Sequence, residues 1–148
     1  MMAVRHLVEV MALNLIKLCV GVSEVQELEH WVREARAGRD TLDHVTRMFP
    51  KRCAEIVPGG SLYWVIRGLI LCRQPIAQFV PVKGADGIER CRIDFKAKII
   101  PVHPVPRRAF QGWRYLAAGD APRDLPKSMA ASGLTQKMRR ELSELGLL

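Results

Sequence analysis

Arginines and aromatic residues occur together in the middle and later parts of the chain, and this combination is typical of a nucleic-acid site. Arg67 follows Tyr63 and Trp64 closely, and Arg114 separates two further aromatic residues. Aromatic rings stack on bases and guanidinium groups bind phosphate, which is how proteins hold single-stranded nucleic acid. The candidate phosphate contacts are Arg47, Lys51, Arg52, Arg67, Arg107, Arg108 and Arg114, and the candidate stacking residues are Tyr63, Trp64, Trp113 and Tyr115.

A structural explanation competes with this one, because aromatic residues also build cores and arginines also form a solvated rim. Tyr63 and Trp64 are neighbours in a predicted strand and therefore point to opposite sides of it. Trp113 and Tyr115 are two residues apart and share a face if their segment is extended. The nucleic-acid hypothesis requires these rings and the basic residues to lie on one concave surface.

Catalytic motifs are absent from the sequence. The histidines are isolated, and no serine or cysteine stands in a recognisable nucleophile context. The run from Pro58 to Ser61 is rich in glycine, but it precedes a strand and lacks the lysine of a phosphate-binding loop. An enzyme acting on a nucleotide-like ligand would need at least two of the following residues in one pocket: His44, Cys53, Glu55, Asp94 and His103.

The four cysteines are scattered and show no metal-ligand spacing. Cys19, Cys72 and Cys91 lie in apolar or alternating runs, where a free thiol behaves as a small buried side chain. We therefore expect no metal, no cofactor, no disulfide and a reducing, cytoplasmic environment.

Positive charge is concentrated in the centre of the chain. The net charge is +8, and residues 47–108 hold twelve Lys or Arg against four Asp or Glu. A local excess of this kind favours a polyanionic partner, RNA above all. Residues 7–22 are apolar, but Glu9 and Lys17 interrupt them and the run is too short to cross a membrane.

Periodicity predicts a mixture of strands and helices. A helix is expected where Val25, Leu28, Val32 and Ala35 follow helical spacing, with Ser23 and Gln26 as its capping box and Gly38 as its end. The other predicted elements are strands at 13–20, 62–66, 69–82 (bent at Pro75) and 91–96, a short helix at 46–57, a ladder-poor proline segment at 101–106, and a closing helix after Thr135.

Several blocks of the sequence resemble those of a bacterial domain family of unknown function. The blocks are LNLIKLCVG, TRMFPKR, GGSLYWVIRG and PRRAFQGWRYL, and the resemblance covers residues 11–148. It favours Met11 as the start, with residues 1–10 as an extension and residues 11–148 as one domain.

The order of elements is also similar to the PUA-like superfamily, in particular its EVE and ASCH branches. This resemblance implies a compact barrel with flanking helices and an aromatic-lined pocket for RNA or a modified nucleobase. The pocket would lie near Tyr63 and Trp64, the helix with Arg47 and Arg52, and the loop with Trp113.

We therefore expect an α+β domain with a bent, mostly antiparallel sheet or partly closed β-barrel and two or three helices. The predicted function is a non-enzymatic RNA-binding or modified-nucleobase-recognition module. A protein-interaction domain and a small enzyme for a nucleotide-like ligand are the alternatives.

Overall fold

The computed structural model describes residues 12–126. Seven strands and two helices follow one another in this part of the chain. They are β1 (Asn14–Leu18), α1 (Val25–Arg36), β2 (Thr41–Thr46), α2 (Cys53–Ile56), β3 (Ser61–Ile66), β4 (Leu69–Lys83), β5 (Glu89–Lys96), β6 (Ile100–Pro106) and β7 (Trp113–Leu116), followed by a 3-10 turn at Ala118–Asp120. The predicted closing helix lies outside the described residues.

All seven strands belong to one mixed sheet. Its order is β2, β5, β4, β3, β1, β7, and β6 pairs with β4 as well. The β1 and β3 strands are parallel, and the other pairs are antiparallel. Within residues 12–126 the sheet is not closed, since β2 pairs only with β5 and β7 only with β1. The mostly antiparallel sheet is confirmed, whereas the partly closed barrel is wrong, and the described residues are mostly β rather than α+β.

The long strand β4 divides this sheet into two halves. Its first residues pair with β3 and β6, and from Ile76 onward it pairs with β5. The register shifts between Ile76 and Gln78, directly after Pro75, where the sequence predicts a bend. A proline has no N–H for the ladder, so it fits a position where pairing changes partner.

We call the two sides of the β7–β1–β3 region the inner and the outer face. On the inner face, Leu15 and Leu62 share a buried cluster with Ile93 and Phe95 of β5 and with Ile56 of α2. The β4–β5 half of the sheet therefore curls over this side. On the outer face lies a second cluster, composed of Ile16, Tyr63, Val65, Ile70, Val102 and Leu116.

Helix α1 forms as its periodicity predicts, but its N-terminus differs from the prediction. Val25, Leu28 and Val32 are buried, and the helix ends where Ala37 adopts a left-handed conformation with φ 45°. The expected capping box is absent, since Glu24 is the N-cap and makes no side-chain cap bond. Ser23 instead accepts a hydrogen bond from Arg67 Nη2 at 3.1 Å.

Two other segments also differ from the sequence prediction. The predicted helix at 46–57 is only the single turn Cys53–Ile56, and strand β2 ends where that helix was expected to begin. Strand β2 pairs with β5 through Thr46, and residues 47–52, which include Pro50, form a loop before the helical turn begins. The proline segment at 100–106 is extended as predicted, but it does join the ladder, because its partner β4 is available along one edge.

Candidate functional site

Three half-buried side chains form a row on the inner face. Trp113 of β7 pairs with Lys17 of β1, and Lys17 pairs with Trp64 of β3. Directly paired residues point to the same side of a sheet, and neighbouring strands lie about 4.8 Å apart. Each of the three side chains is partly open to solvent. A lysine is thus held between two indole rings on one surface.

Lys17 has no acidic partner in the part of the chain that the structure describes. Every ion pair there joins other residues, and no hydrogen bond involves the Lys17 side chain. A half-buried ammonium group without a counter-ion favours an anion close to it. Lys17 was not among the candidates from the sequence. The sequence feature that could have pointed to this residue is its position as the single lysine in the apolar run LNLIKLCV.

The next row of the inner face anchors helix α2 to the sheet. The rings of Trp113 and Tyr115 meet edge to face, with centroids 5.1 Å apart. The Arg52 guanidinium lies 5.3 Å from the Tyr115 centroid, and the Arg52 backbone N–H donates to the Tyr115 hydroxyl at 3.2 Å. These contacts bring Arg52, Trp113 and Tyr115 together, as the RNA hypothesis requires.

The Arg52 guanidinium is engaged by a carboxylate of its own helix. Its Nε and Nη2 donate to the two oxygens of Glu55 at 2.7 and 2.8 Å. The hydrogen bond holds the pKa of Glu55 below its ordinary value and raises the pKa of Arg52. Arg52 therefore keeps its charge beside Tyr115, but its guanidinium group already binds the carboxylate of Glu55.

The loop between β2 and α2 supplies two cations that are not engaged in this way. Arg47 and Lys51 are exposed, and no acidic group of residues 12–126 forms an ion pair with either of them. Pro50, buried between them in sequence, fixes the loop against the protein. Both side chains can therefore reach a phosphate without first breaking a salt bridge.

The remaining predicted residues lie elsewhere. Tyr63 is buried on the outer face. Arg67 lies in the β3–β4 turn with φ 49° and contacts Ser23. Arg107 and Arg114 both stack on Phe110, at 5.5 and 5.7 Å from its centroid, and Arg108 is exposed in the same connection. The predicted set is therefore divided between the inner face, the outer face and one turn.

The residues considered for an enzyme do not form a linked group. Glu55 pairs with Arg52, and Asp94 accepts hydrogen bonds from Arg92 and Gln78. Burial is the largest single influence on the pKa of Asp94 and raises it. The hydrogen bonds from Arg92 and Gln78 lower this pKa, and the net result is a pKa below the ordinary value. Among the described residues, no hydrogen bond or ion pair joins any two of the five candidates. No group of three His, Cys, Asp or Glu in residues 12–126 is placed to hold a metal ion.

Between residues 12 and 126 the fold is mostly β, with one mixed sheet and two helices. The chain belongs to DUF1489, a family described as a protein of unknown function, whose model matches residues 15–148. This confirms the resemblance based on the sequence blocks, whereas the PUA-like resemblance stays a prediction. No curated protein and no solved structure matches the chain. Within the described residues, no helix has the length and apolarity needed to cross a membrane.

Proposed function

We propose that this protein binds single-stranded RNA, or one modified nucleobase of it, on the inner face. The row Trp113, Lys17 and Trp64 is the observation that carries the proposal. Partly exposed indole rings offer stacking surfaces to bases. The ammonium group of Lys17, which has no acidic partner in residues 12–126, offers a contact to a phosphate or to an acceptor edge of a base. The predicted PUA-like resemblance points to the same class of ligand.

The loop cations extend the contact along the nucleic-acid backbone. Arg47 and Lys51 precede α2, whose neighbour Arg52 contacts Tyr115 of the adjacent row. Phosphates bound there would lie next to a base stacked on Trp113. A strand bound in this way contacts three cations that have no acidic partner among the described residues, which are Lys17, Arg47 and Lys51.

Salt dependence gives the first test. Three neutralised phosphates on a single strand give a slope of about −2 in a plot of log K against log salt, so affinity falls about 20-fold between 50 and 200 mM. Fluorescence anisotropy with a labelled mixed-sequence 12-mer RNA measures this slope. A slope near zero, or no binding at 50 mM salt, would contradict the proposal.

A matched pair of lysine variants gives the second test. Lys17→Gln removes the central charge of the row, and Lys83→Gln removes an exposed charge at the far end of β4. We expect Lys17→Gln to weaken RNA binding and to make the salt slope about 0.7 shallower, and we expect Lys83→Gln to do neither. Equal behaviour of the two variants would place the RNA elsewhere.

Trp113→Ala tests the stacking itself. Loss of one stacked base costs about 1–3 kcal/mol, which is about 5- to 150-fold in affinity. Trp31→Ala is the control, because Trp31 is a 61% exposed tryptophan on α1. Thermal melts of both variants separate lost binding from lost folding. A folded Trp113→Ala protein with undiminished RNA affinity would exclude this ring from the site.

Exposed apolar side chains in the loop between β2 and α2 favour the alternative of a protein partner. Met48 and Phe49 are 64% and 39% exposed, next to the basic residues of that loop. If the loop serves a partner protein instead of RNA, the purified protein gives no change in the anisotropy assay. That result would contradict the RNA proposal and leave the protein-interaction alternative in place.

A further inference from the structure

A pocket of about 350 Å³ lies on the outer face, on the side of the sheet away from Lys17. Its floor is formed by Asn14, Ser61, Tyr63 and Arg73, and its wall by Gly59, Ala118, Ala121, Pro122, Arg123 and Asp124. This volume is at the lower end of the range for small-molecule sites, roughly 300–1,000 Å³. A partly open pocket of this size suits a small molecule rather than a polymer.

The wall of the pocket is fastened to the sheet at several points. The Arg73 guanidinium donates from Nε and Nη2 to the two Asp124 oxygens at 2.8 and 2.9 Å, and from Nη1 to Ser61 Oγ at 2.8 Å. The same segment pairs with β6, where His103 N donates to Arg123 O at 2.8 Å and Val102 bridges Asp124. The pocket is therefore preformed.

Most polar groups on the floor already have partners. The Asn14 carboxamide accepts from Ser61 N at 2.9 Å and donates to Ala12 O at 3.3 Å. Tyr63 differs, because only 6% of it is exposed and its hydroxyl makes no hydrogen bond to any residue of 12–126. A buried hydroxyl without a partner is costly, so this group is available to donate to an acceptor in the pocket.

The charges around the pocket favour an acceptor that carries negative charge. Asp124 balances Arg73, while Arg123 is exposed at the rim and has no acidic partner among the described residues. The charged side chains of the lining therefore leave one positive charge uncompensated. Burial also raises the pKa of the Tyr63 hydroxyl, which keeps its proton available for donation.

We infer that this pocket binds a small organic anion whose carboxylate or phosphate oxygen accepts the hydrogen bond of the Tyr63 hydroxyl. Arg123 balances the charge of the ligand at the rim. The apolar body of the ligand packs on Ala118, Ala121 and Pro122. The inference does not depend on RNA binding, since the pocket and the Lys17 row lie on opposite faces.

Isothermal titration with three probes of similar shape tests the inference. The probes are benzoate, phenyl phosphate and the neutral analogue benzamide. We expect at least one anion to bind and benzamide to bind at least tenfold more weakly. Binding of one anion only would support the inference and identify its head group. Failure of both anions, or equal binding of benzamide, would overturn it.

Tyr63→Phe removes the hydroxyl and keeps the ring. We expect this variant to bind the anion about 10- to 100-fold more weakly, which is the usual loss for a hydrogen bond to a charged group. Lys83→Gln, at the exposed end of β4 and outside both proposed sites, is the control, and its anion affinity should equal that of the wild type. Undiminished binding by Tyr63→Phe would overturn the inference.

The ligand-free stability of Tyr63→Phe gives a readout that does not depend on the choice of probe. A hydroxyl that serves a ligand leaves no partner behind when it is removed, so the melting temperature should stay unchanged or rise. A hydroxyl that holds the fold together would lower the melting temperature on removal. A clear decrease would assign Tyr63 to the core and refute the inferred role.

Discussion

The two faces of the β7–β1–β3 region carry opposite arrangements of charge and burial. On the inner face, Lys17 lies between half-buried indole rings, and neither it nor the nearby loop cations Arg47 and Lys51 form an ion pair with any residue that the structure describes. On the outer face, Arg73 is paired with Asp124 beneath a fastened wall, and Tyr63 is buried. The first arrangement is a row of half-buried side chains, and the second borders a partly open pocket.

One strand produces this difference. Successive residues of β1 alternate between the faces, so Asn14 and Ile16 belong to the outer face while Leu15 and Lys17 belong to the inner face. A single strand therefore contributes to two surfaces of different chemistry. Substitutions at neighbouring positions can consequently affect one surface and spare the other.

Truncation of two residues of β1 tests how tightly the buried clusters on the two faces are packed. Leu15 and Ile16 are 1% and 0% exposed, in the inner and the outer cluster respectively. Each change to alanine should lower the free energy of unfolding by about 2–5 kcal/mol in urea denaturation. A loss below about 1 kcal/mol for Ile16→Ala would show that the outer face is loosely packed, and the pocket would lose its rigid floor.

Gly60→Ala tests the junction that holds α2 beneath the inner face. A Cβ on Gly60 would clash with the backbone carbonyl oxygens of Leu13 and Ile56, which cannot turn aside as a flexible side chain can. We expect a loss of about 1–3 kcal/mol of stability. Gly119→Ala is the matched control, because nothing lies within 4 Å of its Cβ position. Equal stability of the two variants would show that α2 shifts freely relative to β1.

Thiol reactivity measures how well the inner face is shielded near Lys17. Burial raises the pKa of the Cys19 thiol to about 11, although the nearby Lys17 acts in the opposite direction. At pH 7.4 its alkylation by iodoacetamide should be on the order of a hundredfold slower than that of a free cysteine, and should rise about tenfold per pH unit. Site-resolved mass spectrometry gives the rates. Reaction as fast as a free thiol would mean that this end of the face is open.

The sequence predicted the elements with strong local patterns. The α1 helix and strands β3, β4 and β5 lie where periodicity places them, because each has an uninterrupted apolar pattern. Strand β2 was missed, because its pairing with β5 across more than forty residues decides its conformation. The open sheet could not be foreseen, since closure depends on which edges meet and not on local residue patterns.

The candidate site was predicted in part. The sequence correctly placed Trp113 and Tyr115 on one face, and Tyr63 and Trp64 on opposite faces, because both expectations use only the alternation of a strand. It could not assign Lys17 to the row of tryptophans, since that requires the register of β1 against two distant strands. The Tyr63 pocket was missed for the same reason, because its wall comes from residues 118–124.

The pairing of β1 also has a consequence for how the polypeptide is made. Its two partners, β3 and β7, begin 47 and 99 residues after Asn14 along the chain. Because translation proceeds from the N-terminus, the apolar run LNLIKLCV leaves the ribosome before either of its partner strands, β3 and β7, has been synthesised. An unpaired apolar strand on a growing polypeptide is prone to aggregate. The β1 segment therefore stays without its strand partners until the residues of β3 and β7 have been synthesised.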